Sequence, residues 1–358
     1  MIKFYTPKSP TGPDGLIAYH DWLGYGWLGA LVHNYEPCGD IEQVLTQSVR
    51  VACVHIPIDL SKLTFDTSKF NLFLVSDIEY HDMDEVMQWL KYHNIDNYLL
   101  SMGGVNLPTD LNIIYRPWWA FNVINYNKFQ DTSADQKPYH FDCLLGAKRS
   151  HRDYIMAKMQ DKGLLSTSIV TYRDIFHGVQ YKDPRLDITV YDILDGRMLA
   201  YPYISENLDP NWEVQPNMDN TVSYLVPWKI YQQTRYSIVA ETHYTDVFFL
   251  TEKTTKPLLA KRLFVVFSSA GYLKNLRQLG FKTFNSVIDE SYDEMTDPLA
   301  RFAAAFRQVE YLTTQNYKEI MDKIKDITEH NYQRLLTLHK EKTESMKQMV
   351  DAKIKSIL

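Results

Sequence analysis

Short apolar runs rich in β-forming residues alternate with helix-like stretches along most of this chain. In the first part, runs at 50–56, 70–76 and 98–102 predict strands, and residues 83–93 carry apolar side chains at helical spacing. Further strands are predicted at 141–145, 168–172, 236–240, 247–250 and 263–267, and a helix at about 153–162. Strand, helix and strand in this order predict an α/β fold with parallel sheets and crossover helices.

The domain boundary is predicted in residues 129–138, which are mostly polar and turn-forming. We expect an N-terminal Rossmann-like domain at 1–135, a second one at 139–312, and a helical extension at 313–358 with a long charged helix from 316. Residues 178–220 are predicted to form loops. A chain of 358 residues is long enough for two such domains facing one ligand cleft.

Composition narrows the class of protein. The apolar fraction of 45% and the aromatic fraction of 13% are typical of a globular protein. The net charge of -6 gives no global attraction to nucleic-acid phosphates or anionic lipid, so contact with nucleic acid would need a local basic patch. Three cysteines without a CxxC motif predict buried thiols in a reducing compartment.

No uncharged apolar run is long enough to predict a membrane span, and Pro7 comes too early for a signal-peptide core. We therefore expect a cytoplasmic protein. The sequence contains no glycine-rich phosphate loop and no zinc motif, and we predict no metal site.

A basic turn directly follows the predicted strand at 141–145. Lys148, Arg149, His151 and Arg152 open the next helix, where cations oppose the helix dipole unless an anion is bound. Arginine and lysine are the side chains that bind diphosphates. The turn therefore predicts a diphosphate site, with a solvated basic helix start as the alternative.

A second charged segment lies between the predicted strands at 247–250 and 263–267. It contains Glu252, Lys253 and Lys256, and Pro257 predicts a helix that starts near residue 254 or 255. Glu252 and Lys253 then lie at a strand end beside a helix N-terminus, where anions are favoured. The alternative is a helix capped by threonine with solvated charges.

One strand earlier, Glu241 and His243 lie in the polar loop at 240–246 that follows the predicted strand at 236–240. Parallel strands end at the same edge of a sheet, so we expect this loop near the two charged segments. An ordinary acidic surface loop is the alternative.

These segments together resemble a known family. Residues 236–242, 248–253, 257–260 and 264–266 are similar to the donor-binding region of fucosyltransferase-like glycosyltransferases, which have two Rossmann-like domains in the GT-B fold. The resemblance spans about residues 141–289, is specific around the Thr-Glu-Lys segment, and does not reach the first domain. The loop after Glu241 departs from the family pattern, so the resemblance does not identify the sugar.

The resemblance implies that Glu252 binds the donor ribose, that Lys253 and Arg152 bind its phosphates, and that Glu241 lies near the donor sugar or ribose. It further implies a hexosyl- or pentosyltransferase that moves a sugar from a nucleoside-diphosphate donor to a hydroxyl acceptor. We expect an inverting, metal-independent reaction with the nucleotide sugar as co-substrate and no other cofactor. The first domain should supply the general base, for which Asp21, beside His20, and Glu79 are candidates.

The acceptor and the class of function remain open at this point. A glycan or saccharide is the expected acceptor, and a hydroxymethylated DNA base is the alternative. A module that binds nucleotides or glycans without catalysis is a different class of function. The long C-terminal helix is either a partner-binding element or one that packs on the protein's own first domain.

Overall fold

The computed structural model describes residues 2–6, 35–56, 63, 65–77, 82–105, 112–134, 136–147, 149–173, 226–245 and 247–358. The chain divides into two compact units. Unit 1 comprises residues 1–118 and 338–358, and unit 2 comprises residues 119–337. Unit 1 is therefore discontinuous in sequence. The predicted acceptor and donor roles of the two parts stay predictions.

The described part of unit 1 contains a six-stranded parallel sheet in the order β2-β1-β3-β4-β5-β7. Its strands are β1 (Ile2–Tyr5), β2 (Tyr35–Cys38), β3 (Val51–His55), β4 (Leu72–Asp77), β5 (Tyr98–Met102) and β7 (Ile113–Tyr115), and β6 (Gly104–Val105) follows β5. The helices are α1 (Ile41–Leu45), α2 (Met83–Tyr92) and the beginning of α3 (Trp118–Tyr126). β4 and β5 are buried throughout, as expected for a parallel sheet covered on both faces.

The described part of unit 2 contains a four-stranded parallel sheet in the order β12-β10-β8-β9. These strands are β8 (Tyr139–Ala147), β9 (Ile169–Arg173), β10 (Thr234–Ala240) and β12 (Phe264–Phe267), and the short β11 (Phe248–Phe249) precedes β12. Besides α3 from residue 119 onward, the described part of this unit contains the helices α4 (Ser150–Asp161), α5 (Trp228–Gln233), α6 (Glu252–Leu259), α7 (Tyr272–Gln278) and α8 (Pro298–Thr313). β9 and β10 lie on opposite sides of β8 in the sheet. The direction in which successive strands are added therefore changes at the boundary between the neighbouring strands β8 and β10.

The last helix, α9, runs from Tyr317 to Ile357. Its first part carries buried side chains of unit 2, among them Ile320, Ile324 and Leu335. Its last part contributes Met346, Val350 and Ile354 to the core of unit 1. No helix in the described ranges is long and apolar enough to cross a membrane.

The predicted fold class is confirmed at the level of an α/β protein with parallel sheets and a long C-terminal helix. The arrangement of two domains about one cleft stays a prediction. The predicted strands and helices are found within a few residues of their expected positions. The predicted loops at 178–220 lie outside the described residues.

Candidate functional site

The candidate site lies where β8 and β10 end. In an open parallel sheet, ligands bind at the carboxyl ends of the strands, in the crevice where the winding changes direction. In unit 2 this point lies between β8 and its neighbour β10. The basic turn follows β8 and the loop with Glu241 and His243 follows β10, so the fold brings two of the predicted segments to this crevice.

Arg149 and Lys253 both reach Thr242, which stands just after β10. Arg149 Nη1 donates a hydrogen bond to the Thr242 carbonyl oxygen at 3.1 Å. Lys253 Nζ donates to Thr242 Oγ1 at 3.3 Å. Two cations predicted to bind a diphosphate, about a hundred residues apart in sequence, therefore converge on one residue at the crevice.

Helix α4 begins beside this point. Arg149 is its N-cap residue, and the Arg149 side chain makes no capping hydrogen bond within the described chain. Arg152, in the first turn, is buried, and its Nη2 lies 3.5 Å from the Ala240 carbonyl oxygen at the end of β10. A helix start without a side-chain cap, flanked by two guanidinium groups, suits an anionic ligand.

Two neutral histidines lie among these cations. His151 is fully buried, and its Nε2 lies 2.8 Å from the Glu241 carbonyl oxygen, to which it donates. Burial and the nearby Arg152 lower the pKa of His151 well below its usual value. Burial, and to a smaller extent the charges of Arg149 and Lys253, lower the pKa of His243 to about 4. At neutral pH both rings are therefore uncharged, and the positive charge belongs to the arginines and the lysine.

Glu241 binds the protein itself. It is fully buried, and its two carboxylate oxygens accept hydrogen bonds from Thr251 Oγ1 at 2.5 Å, Thr254 Oγ1 at 2.6 Å and the Tyr272 hydroxyl at 2.9 Å. Weaker contacts to the amides of Thr251 and Thr254 measure 3.4 and 3.3 Å. In this structure the carboxylate oxygens of Glu241 therefore hold the start of α6. A contact between Glu241 and the donor sugar or ribose stays a prediction.

The start of α6 differs from the sequence prediction. The helix begins at Glu252, not at residue 254 or 255, because Thr251 caps it by accepting a hydrogen bond from the Lys253 amide at 3.2 Å. Pro257 therefore lies in the second turn, inside the helix. Capping by Thr251 and the carboxylate of Glu241 stabilises the earlier start despite the proline. Glu252 and Lys253 thus belong to the first turn.

Glu252 and Lys253 form an ion pair, with 2.5 Å between Oε1 and Nζ. Burial alone would raise the pKa of Glu252, but Lys253 and Lys256 outweigh it and the pKa is lowered. Glu252 is therefore an ionised acceptor with 7% of its surface exposed. Lys256 is half-buried, and burial, only partly offset by Glu252, lowers its pKa to about 8.

Four of the predicted site residues lie outside the described part of the chain. Three of them belong to the first domain: the general-base candidates Asp21 and Glu79, and His20 beside Asp21. The fourth is Lys148 of the basic turn.

Sequence reasoning missed the contacts of Thr242 with Arg149 and Lys253 and those of Thr254 and Tyr272 with Glu241. The spacing of Thr251 and Thr254, three residues apart at a helix start, is a signal that two hydroxyls share a face. Nothing in the sequence points to Tyr272, whose hydroxyl reaches Glu241 across 31 residues.

Among the described residues, no group of three or more histidine, cysteine, aspartate or glutamate side chains is arranged to hold a metal ion. No protein-family model matches the chain, and a search of curated proteins gives no match. The function is therefore inferred from the geometry at the ends of β8 and β10.

Proposed function

We propose that the chain is a glycosyltransferase that moves a sugar from a nucleoside-diphosphate donor to a hydroxyl acceptor. The observation that carries the proposal is the convergence of Arg149 and Lys253 on Thr242 at the point where the sheet of unit 2 reverses its winding. The resemblance around the Thr-Glu-Lys segment agrees with this location.

The electrostatics suit a diphosphate leaving group. Arg149, Arg152 and Lys253 all contribute to the lowered pKa of His151, which indicates that their charges act on one small region. Departure of a nucleoside diphosphate develops negative charge on the oxygen that linked it to the sugar. Fixed cations at that position stabilise the transition state more than the ground state.

The diphosphate is assigned to the start of α4 and to Lys253. The N-terminus of α6 already accommodates the carboxylate of Glu241, so a phosphate there would have to displace it. Glu252, ionised and with 7% of its surface exposed, is the acceptor proposed for the ribose hydroxyls. In this structure Glu252 forms an ion pair with Lys253.

Transfer is tested with a panel of nucleotide sugars against two kinds of acceptor, oligosaccharides and hydroxymethylated DNA. Product formed only with saccharides supports the glycan acceptor that we propose, and product formed only with DNA supports the base-modifying alternative. Nucleoside-diphosphate binding without any product after long incubation would instead indicate a binding module and would contradict the proposed transferase activity.

Replacing Lys253 with methionine is expected to weaken nucleoside-diphosphate binding about tenfold to a hundredfold. The physical reason is the loss of one charged hydrogen bond to phosphate, worth about 1.5–3 kcal/mol. Isothermal titration calorimetry with UDP, GDP and CDP measures the change. Lys274→Met, at an exposed lysine of α7 in the same unit, is the matched control and should bind as the wild type does. Equal affinities for Lys253→Met and wild type would contradict the site.

Nucleoside-diphosphate binding is expected to weaken as the pH rises above about 8. The pKa of Lys256 is about 8, and an anion favours its charged form, so the contribution of Lys256 is fully present below that pH and is lost above it. The diphosphate is already fully ionised there and adds no pH dependence of its own. Calorimetry between pH 7 and 9.5 should show the decline in the wild type and not in Lys256→Met. The same decline in both proteins would exclude Lys256 from the site.

A further inference from the structure

A cavity of about 540 Å³ opens on unit 2 at the edge where its strands begin, opposite the candidate donor site. Its walls come from the segment before β8, the start of β10, the turn between α6 and β12, and the first turns of α9. The volume is in the range of cavities that bind small molecules. Nothing in the proposed transferase reaction uses this cavity.

The wall of the cavity is strongly cationic. Two carboxylates line it, Asp131 and Asp322, and the Asp131 carboxylate accepts hydrogen bonds from the amide and hydroxyl of Ser133 at 2.9 Å each. Six basic side chains line it as well: Lys137, Arg235, Lys261, Arg262, Lys318 and Lys325. A concave surface with such an excess is unexpected in a chain of net charge -6, and it attracts anions locally.

Two of these cations form ion pairs with carboxylates that do not line the cavity. Arg262 Nη2 lies 2.8 Å from Asp142, and Lys261 Nζ lies 2.5 Å from Glu329. Lys318 and Lys325 line the cavity from exposed positions of α9.

Lys137 is the most deeply placed of the lysines, with 2% of its surface exposed. Its Nζ donates to the Tyr231 carbonyl oxygen at 2.6 Å and lies 5.7 Å from the centre of the Tyr317 ring. An ammonium group has three donors, and the described residues offer this one a single oxygen acceptor. Burial, and to a smaller extent the charge of Arg262, lower the pKa of Lys137 to about 7. A buried charge with so few acceptors is costly, and an anion in the cavity would supply the others.

We propose that this cavity is a second ligand site that binds a small phosphate-bearing molecule, with Lys137 at its floor and Lys318 and Lys325 at its rim. The aromatic rings of Phe129 and Tyr317 also line the cavity and suit an organic group attached to the phosphate. The site is separate from the donor crevice and does not depend on the transferase activity.

Reversal of the two rim charges tests the proposal without disturbing the core. The full chain is titrated calorimetrically at constant ionic strength with inorganic phosphate, AMP and glucose 6-phosphate, which separates free phosphate from an organic phosphate. Lys318→Glu/Lys325→Glu is expected to bind at least tenfold more weakly than the wild type. Lys323→Glu/Lys340→Glu changes the net charge equally at exposed positions of the same helix outside the cavity, and should bind normally.

The same titrations in a Lys253→Met background remove any contribution of the candidate donor site. Equal affinity of the rim variant and its control would overturn the proposal. So would binding of a short oligonucleotide that depends on the rim lysines while none of the three small phosphates binds.

Lys137 is tested through pH. Sulfate keeps a constant charge between pH 6 and 9, so its affinity should fall as Lys137 loses its proton above about pH 7. The charged groups that face Lys137 are Asp131, Asp142 and Arg262. Burial and the nearby Arg235 lower the pKa of His140 below its usual value. Lys137→Met should remove the pH dependence, and an unchanged dependence would exclude Lys137 from the site.

Discussion

Replacement of Glu241 with alanine is expected to destabilise unit 2 by about 3–5 kcal/mol, because several buried donors lose their acceptor at once, at about 1–3 kcal/mol each. The donors are the hydroxyls of Thr251, Thr254 and Tyr272. The start of α6 also loses a carboxylate that its dipole favours. Denaturant unfolding measures the total, and hydrogen exchange at the first turn of α6 locates the change.

Glu241→Gln is the matched control. It keeps the shape of the side chain and one acceptor oxygen but places an amide donor where the second oxygen was, so we expect a smaller loss, about 1–2 kcal/mol. A free energy of unfolding for Glu241→Ala within about 1 kcal/mol of the wild type would contradict the structural role given to this carboxylate.

The same variants separate a structural role from a ligand contact. Glu241 holds the turn that carries Lys253, and its carboxylate also accepts a hydrogen bond from the Thr242 amide. Loss of Glu241 should therefore shift Lys253 and Thr242 and so weaken donor binding. If Glu241→Gln folds normally and yet loses donor binding as completely as Lys253→Met, a direct contact between Glu241 and the donor is the better explanation.

Replacement of Arg262 with methionine is expected to cost about 3–5 kcal/mol, the usual effect of leaving a buried charge without its partner. The partner of Arg262 is Asp142, and both side chains are buried. Arg262 also donates to the carbonyl oxygens of Tyr231 and Thr234 at 2.8 and 2.9 Å, and its guanidinium lies over the Tyr231 ring. Hydrogen exchange in β8, β10 and β12 should show the loss directly.

Two controls make this test specific. Removing both charges, in Arg262→Met/Asp142→Asn, should recover much of the stability, because no buried carboxylate then lacks its cation. Lys162→Met breaks the exposed ion pair with Glu310 in the same unit and should change stability little. Equal losses in the single and the double variant would show that the charge pair is not the cause.

The deficit of Arg262→Met should shrink as the pH falls. Burial raises the pKa of Asp142, and Arg262 opposes that rise. Without the arginine the pKa rises further, so Asp142 takes up a proton in the folded variant at a higher pH than in the unfolded chain. The folded variant therefore gains stability relative to the wild type on acidification.

The sheets were predictable because their strands are contiguous apolar runs, and a buried parallel strand has no other pattern. β5 is found at the predicted residues, and β8 and β10 extend only a few residues beyond them. The start of α6 was predicted wrongly from Pro257 because the carboxylate that stabilises the earlier start comes from a different loop. Local sequence does not contain that contact.

The candidate site was predictable in its charges and not in its bonding. The basic turn and the Thr-Glu-Lys segment stand at strand ends in the sequence, and parallel strands bring such ends together. Glu241 is held by Thr251, Thr254 and Tyr272, and Tyr272 belongs to α7, which the sequence does not place near Glu241. The second cavity had no sequence signal, because its basic residues come from four separate segments.

The division of the chain has a consequence for its synthesis. Unit 2 is complete once residue 337 has left the ribosome, whereas the core of unit 1 still lacks Met346, Val350 and Ile354. Residues 1–118 are thus made before unit 2, and their core is completed after it. Until the last turns of α9 emerge, the apolar side chains of β1, β3 and β4 that pack with these three residues stay exposed to water and to other nascent chains. Residues 346–354 are therefore decisive for yield.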